Sequence, residues 1–215
     1  MPTTATPLTP PTNITIRLPS KYSSSTSTTA NTSFTPPPLE WLYRTWSVTH
    51  SNLSLWHSAR NVRITYKAHP PTASAPPKHR IDDLVEYEAR SGTGGVKTVK
   101  GLDTAAAPGE TGVWQWRGKG WMVLLTSHWE VLGWGERPRP DGSGEVERWV
   151  VTWFAATKFT KEGVDIYSDR REGGSEELVA DVLAALRGLE ARPLAEMCAE
   201  GRLVPVEISL PWKES

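Results

Sequence analysis

The sequence predicts an all-β fold: an eight- to nine-stranded up-and-down antiparallel β-barrel carrying one C-terminal α-helix packed on its wall. Three observations predict it. From Leu39 onward apolar residues recur with period two in short runs, the pattern of strands with one buried face. About eight such runs follow one another through short, turn-rich connections, and a meander of that kind must close on itself or leave exposed edges. Only one segment, late in the chain, carries a long helical stripe. At 215 residues with 38% hydrophobic content, the chain is sized for one domain with a sizeable core.

Each element has its own signature. Residues 1–38 are rich in Thr, Ser and Pro, with no acidic residue before Glu40 and few large apolar ones. Such a stretch buries too little surface to offset its ordering entropy, so a disordered tail is expected, leaving 39–215 as the barrel domain. The first strand, "TWSVTHS", sets Trp46, Val48 and His50 on one face. The second, "NVRITYK", sets Val62, Ile64 and Tyr66 opposite Arg63 and Thr65. The loop "AHPPTASAPPKH" interrupts, because proline cannot donate to a ladder. "IDDLVEYEAR" then alternates Asp83, Val85 and Tyr87 with Asp82, Leu84 and Glu86. "SGTGG" turns into "VKTVKGLD", and the loop 105–112 leads to "VWQWRGK". "WMVLLTS" runs into "HWEVLGW", where a regular strand would align His128, Glu130, Leu132 and Trp134. After "ERPRPDGSGE", "RWVVTWFAATKF" alternates Trp149, Val151 and Trp153 with Val150, Thr152 and Phe154, and "GVDIYS" pairs behind it. In "GGSEELVADVLAALRGLE", Ser175 is a good N-cap, and Glu176 and Glu177 favour the positive end of the helix dipole. Leu178, Val182, Leu183, Leu186 and Leu189 form the stripe that must lie on the barrel. "RLVPVEIS" ends the pattern with Val204, Val206 and Ile208 on one face and Pro205 marking an edge position.

Composition excludes several function classes. Twenty-four acidic and twenty-four basic residues cancel, so no broad field draws the chain to nucleic acid or an anionic membrane. The single cysteine, Cys198, cannot form an internal disulfide and reads as a packing residue in a reducing compartment. No run approaches the roughly 18 apolar residues of a membrane span, and the N-terminus lacks a secretory pattern, so a soluble, cytoplasmic protein is expected. "SGTGGVKT" resembles a phosphate loop but lacks the Gly before Lys and a following helix; it reads as a hairpin turn. Five histidines show no tight metal-ligand spacing, and no serine sits in a Gly-x-Ser-x-Gly elbow. No cofactor and no metal site are implied.

The order of elements, eight meandering strands, a helix and a ninth short strand, resembles that of the lipocalins, and two short stretches agree with it. Arg44-Thr45-Trp46 keeps the tryptophan of the Gly-x-Trp found near the start of their first strand, with the glycine replaced. "IYSDRREGGSEELVADVLAALRGLE" resembles the segment after their eighth strand, with Arg170 or Arg171 in the place of the family's arginine. The resemblance covers roughly residues 41–210. It implies that this arginine packs over Trp46 at the closed base, a cation–π contact of about 0.5 to 2 kcal/mol. It also implies that the interior holds a small hydrophobic molecule such as a lipid, pigment or polyketide-like metabolite.

Eleven tryptophans are consistent with an aromatic-lined cavity. Trp114, Trp116, Trp134, Trp149 and Trp153 are the candidate ligand contacts, with Arg117 and His50 as polar ones. The alternative is a cofactor-independent isomerase, cyclase or dehydratase acting on a hydrophobic metabolite of a biosynthetic pathway. In that reading His128 with Glu130, or Tyr87 with Asp83, would move protons, since a carboxylate beside an imidazole tunes it toward working pH. Both roles need the named residues to face inward, and a charge buried there without a partner would mark a ligand's polar end.

Overall fold

The computed structural model describes residues 13–23 and 34–214. Its strands are β1 (Thr45–Ser51), β2 (Ala59–His69), β3 (Arg80–Ala89), β4 (Lys97–Ala105), β5 (Val113–Gly118), β6 (Thr126–Pro138), β7 (Val146–Phe154), β8 (Gly163–Ser168) and β9 (Val204–Pro205). Consecutive strands from β1 to β8 pair antiparallel, and β8 pairs back onto β1, so these eight close into an up-and-down barrel. The short β9 joins β1 at His50 and Ser51, beyond the point where β1 leaves β2. Closure removes the free edges that a meander of this length would otherwise expose.

The α-helices among the described residues are α1 (Leu39–Leu42), α2 (Glu176–Arg187) and α3 (Arg192–Met197), and short 3-10 turns lie at Ser54–Ser58 and Gly120–Met122. Ser175 caps α2 as its sequence predicts: its Oγ accepts from the Leu178 N–H at 3.2 Å, and Glu147 in turn holds the Ser175 hydroxyl and N–H. Leu178, Val182 and Leu186 are buried against the outer wall. There they meet Leu132, Trp149, Val151, Trp153, Val164 and Ile166. A second apolar cluster fills the closed end of the barrel around Trp46, Val48, Trp114, Val131 and Trp134. The wall is therefore apolar on both sides wherever something covers it.

Helix α1 seals the base. The Trp41 ring lies 5.2 Å from Trp46 and 4.7 Å from Trp134, and the Trp134 indole N–H donates to the Thr35 carbonyl at 2.8 Å. The guanidinium over Trp46 belongs to Arg44, 5.4 Å from the ring, and not to Arg170 or Arg171 as the resemblance implies. Arg170 instead pairs with Glu145 and Glu172, and Arg171 lies over Trp212. Arg44 has the advantage of position, two residues from the tryptophan and tethered by a 2.8 Å hydrogen bond to the Trp41 carbonyl.

Two expectations shift because strands bulge. In β1 the register slips between Val48 and His50, so His50 pairs with outward-facing Ile166 and leaves the face of Trp46 and Val48. In β6 it slips between Val131 and Gly133, so Trp134 joins the inner cluster while Leu132 stays outside. An extra residue on one strand inverts the alternation beyond it. Two apolar runs are also not the strands their sequence predicts. Trp121–Leu125 form a turn before β6, with Trp121 and Leu124 each 89% exposed. At the other end of the chain, "RLVPVEIS" contributes only the two residues of β9.

The expected disordered tail lies partly outside the described residues, at 1–12 and 24–33. Its described parts show more order than composition predicts. The Arg17 N–H donates to the Leu132 carbonyl at 2.8 Å, and Ile14, Ile16 and Leu18 pack on the outer cluster. The reason is local: three apolar side chains at alternate positions suffice to dock a short extended segment along β6.

Candidate functional site

A cavity of about 790 Å³ enters the barrel at the end opposite α1. Its mouth is framed by Leu53, Leu55 and Trp56 from the β1–β2 connection, Met122, Leu124 and Leu125 from the β5–β6 turn, and Ala156–Thr160 from the β7–β8 loop. Ile64, Val85, Val99 and Phe154 form apolar walls. Deeper in, the lining turns polar and aromatic: Tyr66, Asp83, Trp116, Trp129, Thr152, Asp165 and Tyr167.

The strand register builds this floor. Asp83 on β3 lies opposite Gly101 on β4, and Asp103 on β4 lies opposite Trp116 on β5. Asp83 and Asp103 are thus diagonal neighbours on one face, about 7–8 Å apart along the sheet. Gly101 is required there, because a Cβ would collide with the Trp116 indole that lies across it. Tyr66 stacks on Trp129 with ring centroids 5.7 Å apart, and Trp129 stacks on Trp114 at 5.9 Å. The Trp129 N–H donates to Asp103 Oδ1 at 2.7 Å. Across the barrel Asp165 accepts from the Ser51 hydroxyl, and Tyr167 receives the Thr152 hydroxyl at 3.2 Å.

This environment disfavours charge. Burial pushes the Asp165 carboxyl up to about 7, against the opposing pull of hydrogen bonds from Ser51 and Tyr167. Burial raises Asp83 and Asp103 as well, and the negative charge of Asp83 raises Asp103 further; the indole N–H groups of Trp116 and Trp129 pull the other way. Burial likewise lifts Tyr66 and Tyr167 well above the usual phenol value. Asp83 Oδ1 and Asp103 Oδ2 are buried with no hydrogen-bond partner.

The structure separates the residues singled out from sequence. Asp83 and Trp116 line the cavity. Trp114 and Trp134 point inward but are consumed in packing at the base, where Trp114 donates to the Thr111 carbonyl at 3.1 Å. Tyr87 faces the same interior near the mouth, edge-on to Trp56 at 5.3 Å. It lies four residues from Asp83 along β3, about 13 Å, beyond hydrogen-bond reach. Trp149 and Trp153 face outward into the cluster under α2 and the N-terminal segment. Arg117 is exposed on the outer wall. His50 is half-buried outside the barrel, its imidazole shifted down by burial and the Arg187 charge.

His128 and Glu130 do meet, with Nε2 to Oε1 at 3.0 Å, but on the outer face. Glu130 is fully buried there beneath the N-terminal segment, held by Arg17 at 2.8 Å and by the Ser20 N–H and hydroxyl. Burial alone would raise its carboxyl, yet the His128 and Ser20 hydrogen bonds and the Arg17 charge win and bring it down to about 2. Such a carboxylate anchors a strap and is a poor proton acceptor.

Sequence reading missed Tyr66, Trp129, Asp165 and Tyr167 as floor residues, and Asp103 buried behind them. The available signal was parity: once Trp46 and Val48 face inward, the pairing register carries that parity through every strand to Asp165 and Tyr167.

No protein-family model matches the sequence, and no curated protein matches it. Among solved structures it is similar to lobster apocrustacyanin A1 at 11% identity over 93% of each chain, with a TM-score of 0.49. Apocrustacyanin C1 shares 12% identity over 79% of this chain and 78% of its own, with a TM-score of 0.47. The siderocalin Ex-FABP shares 10% over 79% of this chain and 95% of its own, with a TM-score of 0.45. These are likenesses of fold alone. Strand order, closure of β8 on β1 and the C-terminal helix on the wall give this chain a lipocalin-like barrel fold.

Proposed function

We propose that the protein binds a small hydrophobic molecule in its barrel. One observation carries the reading: a cavity of about 790 Å³, open at one end and walled by Ile64, Val85, Val99 and Phe154. That volume lies in the range of about 300–1,000 Å³ typical of small-molecule sites, and its few convergent polar groups are the kind that orient a guest. A lipid, pigment or polyketide-like metabolite matches the apolar walls. The alternative, proton-moving catalysis on such a molecule, loses His128 and Glu130, which lie outside the cavity, and would rest on Asp83. No helix among the described residues is long and apolar enough to cross a membrane. The free, buried Cys198, its thiol pushed up to about 12 by burial, suits a carrier working in the reducing cytoplasm.

Titration with the neutral lipophilic dye Nile red tests the reading. Saturable one-to-one binding is expected, with blue-shifted dye emission and quenching of the Trp116 and Trp129 fluorescence. A dye that stays in water at micromolar protein, with tryptophan emission unchanged, would falsify the proposal.

A further inference from the structure

The floor of the cavity carries more information than its walls. Carboxyl groups are rarely buried without a partner, because desolvating them is costly. Three are buried here on one barrel interior, Asp83, Asp103 and Asp165, with relative exposures of 9%, 0% and 5%. No arginine, lysine or histidine pairs with any of them among the described residues. Among the described residues the one cation lining the cavity, Lys158, is exposed in the β7–β8 loop at the mouth. Inward-facing Asp83 and Asp103 each keep one oxygen without a donor. Packing does not explain this: an isosteric apolar residue would serve the barrel better.

What the floor lacks is a hydrogen-bond donor that carries positive charge. We propose that the guest is a lipophilic amine, whose protonated nitrogen enters first and is seated between Asp83 and Asp165, with Asp103 behind them, while its hydrocarbon body fills the apolar shaft. This rests on the cavity-binding reading above and names the chemical class it selects. An ammonium brings three donors, enough for the orphaned Asp83 oxygen, an Asp165 oxygen and a tyrosine hydroxyl. The faces of Tyr66, Trp116 and Trp129 around it add cation–π attraction in a site shielded from water. A carboxylate or phosphate end meets the opposite: no cation at the floor, and carboxyl groups that repel it once they ionise. A bare metal ion fits less well, since no three His, Cys, Asp or Glu side chains converge as metal donors among the described residues. An amine also resolves the charge problem of the empty site, in which burial disfavours ionisation of the three carboxyls. Binding would release a proton from the floor to the solvent, leaving an ammonium–carboxylate pair with no net change in buried charge.

The experiment is competition against bound Nile red by three guests of one chain length: dodecylamine, dodecanol and dodecanoate. Dodecylamine is expected to displace the dye at concentrations at least about tenfold lower than dodecanol, a difference of about 1.4 kcal/mol, with dodecanoate weakest. The amine's advantage grows from about pH 6 to about pH 8, as the floor gives up its proton more readily, while dodecanol shows no such trend. In Asp83→Asn and Asp165→Asn the ratio of amine to alcohol affinity collapses toward one. Equal competition by amine and alcohol in the unsubstituted protein, or preference for dodecanoate, overturns the proposal without any variant having to fold. Failure of Nile red itself to bind sinks the cavity reading and this proposal with it; dye binding without amine preference sinks this proposal alone.

Discussion

Asp165 shows what a closed barrel does to a carboxyl group. In an open chain it ionises near 3.8; inside, burial pushes it up to about 7. Between those values the folded protein keeps a proton that the unfolded chain has lost, so stability is greatest at the acidic side and falls as pH rises from about 4 to about 7. By full ionisation the loss is on the order of 4 kcal/mol from this group. Asp83 and Asp103, raised by the same burial, act in the same direction. Glu130 acts oppositely: its stabilisation is present above its ordinary value of 4.5 and fades only as pH falls toward about 2. The thermal midpoint should therefore decline from about pH 5 to about pH 8, and Asp165→Asn, neutral and nearly the same shape, should decline less steeply. An identical slope in the variant would show that Asp165 titrates normally. Of the three buried aspartates only Asp83 was singled out in the sequence. In "GVDIYS" the usual expectation sends Val164 and Ile166 inward, but α2 covers the outer face, so the apolar pair points out and Asp165 and Tyr167 point in.

At the scale of elements, existence was easy to read and facing was not. All eight barrel strands and the capped helix α2 follow from alternation and stripe, because those patterns are local. The bulges in β1 and β6 leave no mark in the alternation, yet each inverts the side chains beyond it, which is why His50 leaves the face of Trp46 and Trp134 leaves the face of His128 and Glu130. Gly133, at the β6 bulge, does carry a trace. A Cβ there would lie 2.5 Å from Ile16 Cδ1 and 2.8 Å from the Thr15 carbonyl, so its absence lets the N-terminal segment close onto the barrel. Gly133→Ala should lift that segment. Limited proteolysis should cut within residues 13–23 at least about tenfold faster, as the docked state loses on the order of 1–2 kcal/mol to the clash. Unchanged cleavage would mean that the segment is not held against β6 in solution.

The whole molecule is a barrel sealed at one end and wrapped outside by its own termini. The N-terminal segment runs along β6 through Arg17 and Glu130. The C-terminal tail runs along β2 and β3 through Asn61, whose side chain pairs with Ser209, and through Trp212 beneath Arg63. Neither strap is visible in composition, because each is held by a few contacts far apart in sequence. The closed barrel was legible, since eight antiparallel strands have few other ways to hide their edges. Whether its interior is hollow was not, because that depends on which tryptophans point inward: Trp114 and Trp134 pack the base, whereas Trp149 and Trp153 spend their bulk outside and leave the shaft open.

The hollow shaft is the central claim, and Val85→Trp tests it most directly. Val85 lines the apolar wall of the cavity, midway between the mouth at Trp56 and the floor at Asp83. A tryptophan there adds bulk where the structure has space, so the thermal midpoint should hold within a few degrees while Nile red affinity drops at least about tenfold. Dye binding as tight in Val85→Trp as in the unsubstituted protein would mean that the guest sits elsewhere and that the barrel is not the binding site.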